Sequence, residues 1–120
     1  MNPQAEALKS RTKKFALDVL AFVDSLPTSG TAARIGVQLA AAATSVAANY
    51  RASCRARSKA EFAAKIGIVL EESDESDFWL ELADDRRLGS ADERRRLRRE
   101  AGELTAIFAQ SSITARNNLR

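Results

Sequence analysis

Arg94, Arg95, Arg96, Arg98 and Arg99, interrupted only by Leu97, are the residues of this chain whose type and spacing bear most directly on chemistry. Guanidinium is permanently charged, and its rigid fork of donors matches carboxylate and phosphate oxygens. On a helix these side chains would cover most of the outer face, with Leu97 turned inward. They fall near a helix start, where positive charge opposes the macrodipole and costs local stability, so a compensating anion is expected. Three sources of that anion are open: Arg96–Glu100 and Arg99–Glu103 pairs on a solvated face, acidic groups of another protein surface, or nucleic-acid phosphates. No aromatic residue interleaves with the arginines, so stacking of single-stranded bases is unsupported. Lys9, Arg11, Lys13 and Lys14 make a second basic group that would extend a phosphate-facing surface.

The acidic counterpart is Glu71, Glu72, Asp74, Glu75 and Asp77. Net charge is +3, so the chain is mildly basic overall, and its charges are strongly segregated along the sequence. A two-signed layout of this kind suits head-to-tail self-association, one copy's basic patch meeting the next copy's acidic one.

Much catalytic chemistry lacks its residues. The chain has 0 His, which excludes Glu-x-x-His di-iron sites, imidazole-bound zinc and His acid–base catalysis. With 1 Cys, thiolate metal cages and an intrachain disulfide are excluded too. There is no glycine-rich phosphate loop and no nucleophile elbow. A carboxylate pair such as Glu72 and Glu75 is the remaining catalytic option, but clustered helix carboxylates are usually solvated or ion-paired. Cys54 beside Arg55 reads either as a reactive thiol or as a small packed hydrophobe near a helix end. The expectation is a protein that is not an enzyme, with no catalytic residues, cofactor or metal.

The elements that must position these charges are helices. A length of 120 residues with 45% apolar and 29% charged residues fits one domain, 1–120, with a single core. Asn2 caps a first helix with Pro3 in its opening turn, and Leu8, Phe15, Val19, Phe22, Val23 and Leu26 follow helical spacing up to Pro27. A second helix is expected over 31–53, with Ile35, Leu39, Ala43, Val46 and Tyr50 along one side and alanines that let a neighbour approach closely. Ser58 and Glu61 form a capping box for a third, ending near Arg86, with Gly89 suited to the left-handed position beyond it. Ser90 and Glu93 repeat the box for a fourth, whose inner stripe is Leu97, Ala101, Leu104, Phe108 and Ser111; the tail 117–120 should fray. No segment alternates like a strand. Short connections force antiparallel neighbours, so the fold class is all-α, an up-down-up-down four-helix bundle.

The third helix carries apolar residues on more than one face. One stripe runs Phe62, Ile66, Val69, Ser73, Ser76, Leu80, Ala83; a second holds Ala64, Ile68, Glu72, Glu75, Trp79 and Leu82. A bundle consumes one stripe per helix, so the second is expected to meet a partner protomer, with Arg51, Arg55 and Arg57 pairing with Glu72 and Glu75 across the contact. The alternatives are that Trp79 closes the bundle's own core and that the three arginines complement the end of the second helix. The longest uncharged run, 35–50, falls short of the ~20 apolar residues that span a bilayer, and nothing resembles a signal segment. A soluble cytoplasmic protein without membrane contact is expected.

The stretch Thr44-Ser45-Val46-Ala47-Ala48-Asn49-Tyr50-Arg51-Ala52, then Arg57-Ser58-Lys59-Ala60-Glu61-Phe62, resembles the bacterial four-helix-bundle proteins encoded in intervening sequences of large-subunit ribosomal RNA genes. The run from Lys65-Ile66-Gly67-Ile68-Val69-Leu70 through Glu71-Glu72-Ser73-Asp74-Glu75-Ser76 to Asp77-Phe78-Trp79-Leu80-Glu81-Leu82 is similar to that family's third helix. The similarity spans most of the chain and is sharpest over 44–82. Relatives include the accessory variability subunit of diversity-generating retroelements, which works with a reverse transcriptase and RNA. The resemblance implies a small cytosolic bundle assembling as a ring of five, with RNA or DNA bound through a basic surface, and a reverse transcriptase as partner where one is encoded alongside. One departure stands out. A common family form follows the asparagine with Ile-Ala-Glu-Gly, whereas Asn49 precedes Tyr50-Arg51-Ala52-Ser53, so the role of that glutamate does not pass to Arg51.

Overall fold

The computed structural model describes residues 2–120, arranged as α1 (Pro3–Asp24), α2 (Gly30–Ser53), α3 (Lys59–Asp85) and α4 (Ala91–Asn117). The Asn2 side chain accepts the Ala5 N–H at 2.7 Å, and Ser58 accepts that of Glu61 at 3.0 Å. Both meet donors that a helix start leaves without partners. The reciprocal half of each expected capping box is absent. Glu61 instead accepts the Arg57 N–H and guanidinium at 3.4 Å, and Glu93 turns to Arg96 at 2.7 Å. In both cases the carboxylate turns to an arginine guanidinium, whose charge makes it a stronger donor than the cap amide.

The end of α3 differs from expectation in a similar way. Arg87, not a glycine, occupies the left-handed position, at φ 54°. Its N–H donates to the Asp84 carbonyl at 3.0 Å and the Leu88 N–H to the Ala83 carbonyl at 2.9 Å, the paired bonds that close a helix C-terminus. Gly89 follows with φ +64°, and a Cβ there would meet Phe22 at 2.8 Å, so close packing against α1 also requires glycine.

The helices lie antiparallel in ring order: α1 beside α2, α2 beside α3, α3 beside α4, with the α1–α4 side the sparsest. The bundle measures 47 × 23 × 20 Å. Phe15, Val19 and Phe22 of α1, Leu39 and Val46 of α2, Ile66, Val69 and Leu80 of α3, and Leu97, Leu104 and Phe108 of α4 make one buried core. Each of the larger side chains contributes about 1.5–3 kcal/mol by leaving water. Two sequence placements shift by one residue. Ala63 is buried while Phe62 is 37% exposed, because α3 starts at the bundle's end, where Phe62 lines an open cavity among α1, α2 and α4. On α4 the stripe runs from Phe108 to Ser112 and Ala115, leaving Ser111 half-buried. Polar core positions are satisfied: Ser73 and Thr105 share a 2.9 Å bond between α3 and α4, and Ser76 donates to the Glu72 carbonyl. Among the described residues no helix is long and apolar enough to cross a membrane.

Candidate interaction surfaces

The stripe of α3 left over from the core is real and partly uncovered. Ile68, Glu72, Trp79 and Arg86 recur at steps of four and seven, so they share one flank. Arg86 donates to the Thr31 hydroxyl at 3.1 Å, which identifies that flank as the one turned toward α2. Ile68 is 38% exposed and Phe78, next to Trp79, 49%, while Trp79 and Leu82 are half-buried and pack against the core. Trp79 therefore supports the protomer with one side and leaves the other to solvent, an outcome between the two sequence readings. Its indole N–H reaches Glu75 at 3.4 Å, and its ring meets Phe78 edge-on at 5.2 Å. Burial, then Glu75 and Glu71, holds the Glu72 carboxyl above the usual range. No arginine of the same protomer pairs with Glu72 or Glu75 among the described residues.

The three arginines expected opposite them are dispersed. Arg57 contacts Glu61 at 3.4 Å, and Arg55 is exposed in the link between α2 and α3. Arg51 lies on the opposite flank of α2, lining a groove with α1. Within one protomer, then, the structure does not bring Arg51, Arg55 or Arg57 to the α3 stripe.

The arginine run of α4 is mostly neutralised from within. Arg94 is the clear correction to a phosphate-facing set: it is 7% exposed. Its Nε donates to Asp84 at 2.8 Å and its Nη1 to the Leu88 and Gly89 carbonyls at 2.7 and 2.8 Å. It thus locks the α3–α4 turn. Arg98 donates to the other Asp84 oxygen at 2.9 Å, and bonds from Arg94 and then Arg98 hold the Asp84 carboxyl below its usual range. Arg96 bridges Glu93 and Asp18, and Arg95 reaches Asp92 at 3.1 Å. The Arg96–Glu100 and Arg99–Glu103 pairs, one of the three sources of counter-charge open from sequence, do not form: Arg11 of α1 takes Glu100 through two bonds of 2.8 and 2.7 Å and approaches Glu103 at 3.6 Å. Arg99 alone of the five has no ion-pair partner among the described residues.

Helix geometry also splits the basic group of α1. Arg11, Lys14 and Asp18 fall on the flank facing α4, where Lys14 and then Arg96 hold the Asp18 carboxyl below its usual range. The Arg11–Glu100 and Arg96–Asp18 pairs stitch the sparse α1–α4 side. Lys9 and Lys13 fall on the other flank and line a groove of about 490 Å³ with Ser10 and Ala16 of α1 and Thr44, Ala47, Ala48 and Arg51 of α2. Asp84 and Asp18 are the two functional acids that the sequence reading passed over. Lys14 lies one helical turn from Asp18, but the arginine partners of the two acids lie 10, 14 and 78 residues away, beyond any helical spacing rule.

Cys54 is half-buried against the core, and the neighbouring Tyr50 phenol is pushed up to about 12, first by burial and then by that thiol. No cluster that could hold a metal occurs among the described residues.

A family described as 23S rRNA-intervening sequence protein matches residues 7–110. Among solved structures, a protein of unknown function from the S23 ribosomal protein family of Bacteroides thetaiotaomicron VPI-5482 is similar, with a TM-score of 0.79 at 21% identity. The alignment covers 90% of this chain and 96% of that one, a likeness of fold. No curated protein matches the chain.

Proposed function

The chain belongs to the 23S rRNA-intervening sequence protein family, and on that footing we propose that it is a non-enzymatic homo-oligomeric bundle, a ring of five by family likeness, that associates with nucleic acid through basic surfaces. The observation that carries the assembly is the outer stripe of α3. Ile68 and Phe78 stand exposed beside half-buried Trp79 and Leu82, and Glu72 is partly desolvated without a cation from its own protomer. A second copy would cover the apolar anchors and could supply the missing cation. Light scattering after gel filtration tests it: an oligomer is expected, and a monomer at micromolar concentration refutes it. Trp79→Ala should weaken assembly more than it lowers the melting temperature of the protomer.

The nucleic-acid half rests on the excess of exposed cations. Binding to generic RNA and duplex DNA should be measurable at low salt and weaken steeply as salt rises. The internal pairing of four α4 arginines favours a second reading, a protein-interaction scaffold with no nucleic-acid ligand. Absence of binding at low salt selects the scaffold. A reverse transcriptase belongs to the proposal as a partner only where a gene for one lies alongside.

A further inference from the structure

We infer that the α1–α2 groove, not the arginine run of α4, is where a nucleic-acid backbone sits; this names the site for the nucleic-acid reading above and rests on it. Lys9 and Lys13 stand one turn apart on α1, about 6 Å along the axis, and Arg51 of α2 lines the same groove. Like charges at that helical spacing repel. Here little offsets them. Lys9 approaches Glu6 at 3.6 Å, while Lys13 and Arg51 have no ion-pair partner among the described residues.

The walls between these cations suit a sugar–phosphate chain. Ala16, Ala47 and Ala48 are small enough to admit it, and Ser10 adds a hydroxyl donor at the rim. The Thr44 hydroxyl already donates to the Ala40 and Ala41 carbonyls, so it is left to accept, as from a ribose hydroxyl. Each arginine of the 94–99 run except Arg99 would have to surrender a carboxylate before taking up a phosphate. The groove cations surrender at most one. A protomer that engages two or three phosphates contributes about two units to the slope of log affinity against log salt.

The test is a salt titration of the full chain against a fluorescent single-stranded RNA and a duplex DNA. It compares Lys13→Ala/Arg51→Ala, Arg95→Ala/Arg99→Ala, and the equal-charge control Arg34→Ala/Lys59→Ala. The groove double variant should bind at least about tenfold more weakly at low salt and lose about two units of slope. Lys13→Arg should retain binding, and the control should shift it by less than threefold. The groove assignment is overturned if Arg95→Ala/Arg99→Ala abolishes binding while the groove variant binds like wild type. It also falls if the control loses as much as the groove variant, since net charge alone would then explain the effect. If the unaltered chain fails to bind either probe, the nucleic-acid reading falls and takes the groove with it. Circular dichroism of each variant excludes unfolding as the cause, because Lys13 and Arg51 are exposed.

Discussion

In α4, Asp84, Asp92, Glu93 and Asp18 engage four of the five clustered guanidiniums, and one of these, Arg94, is buried as the clamp of the α3–α4 turn. In the α1–α2 groove, Lys13 and Arg51 face solvent with no carboxylate partner among the described residues. The richer cluster thus holds its charge inward while the poorer one offers it outward. The number of cations in a stretch measures potential only after the acids that the fold brings to them have been subtracted. That subtraction is a property of helix flanks and neighbours, not of local composition.

The strongest way to break this contrast is to remove the clamp. Arg94→Ala strips the Leu88 and Gly89 carbonyls of their donor and leaves Asp84 with Arg98 alone. Loss of buried, charge-assisted bonds predicts a destabilisation of about 2–4 kcal/mol, read by urea denaturation. Nucleic-acid affinity, measured where the variant is folded, should be unchanged. An Arg94→Ala protein as stable as wild type would show that the arginine run is not structural, and the contrast with the groove would collapse.

Acidification sharpens the same point with a smaller effect. Asp84 and Asp18 are held below the usual carboxylate range by their cationic partners. Such groups stabilise the fold fully above the unfolded value of about 3.9, and that contribution is lost as pH falls through the lower folded values. Stability should therefore decline from about pH 4 downward. Asp84→Asn, already less stable at pH 7, should show a shallower decline over that window. Equal acid sensitivity in the two proteins would mean that Asp84 is not coupled to its arginines.

Much of this architecture was legible in residue spacing. Asn2, Ser58 and Ser90 mark three of the four helix starts, and the stripes through Leu39, Ile66 and Leu104 mark the core, because capping and burial act over one or two turns. The second face of α3 was legible for the same reason. What escaped were interactions set by tertiary neighbours: Asp84 closing on Arg94 and Arg98 across a turn, Arg11 diverting Glu100, and Arg51 facing α1 instead of α3. Arg87 in the left-handed position was equally hidden, since the paired bonds from Arg87 and Leu88 hold a residue whose type does not advertise it.

The smallest expected effect comes from a third region whose charge also lacks a partner within the protomer, the acidic shoulder of α3. Burial first, then Glu75 and Glu71, raises the Glu72 carboxyl above its ordinary range. Its ionised form is therefore penalised in the fold at neutral pH, and the penalty disappears once acid protonates Glu72 in both folded and unfolded chains. Glu72→Gln should stabilise the isolated protomer at pH 7 by a few tenths of a kcal/mol, the scale of like-charge relief on a helix, with no gain below about pH 4. In the proposed oligomer the sign should reverse. A partner's cation that meets Glu72 loses its counter-charge in the variant, so dissociation should become easier although each bundle melts later. A variant that raises both protomer stability and assembly would place Glu72 outside the contact, leaving Ile68, Phe78 and Trp79 to hold the copies together through apolar burial alone.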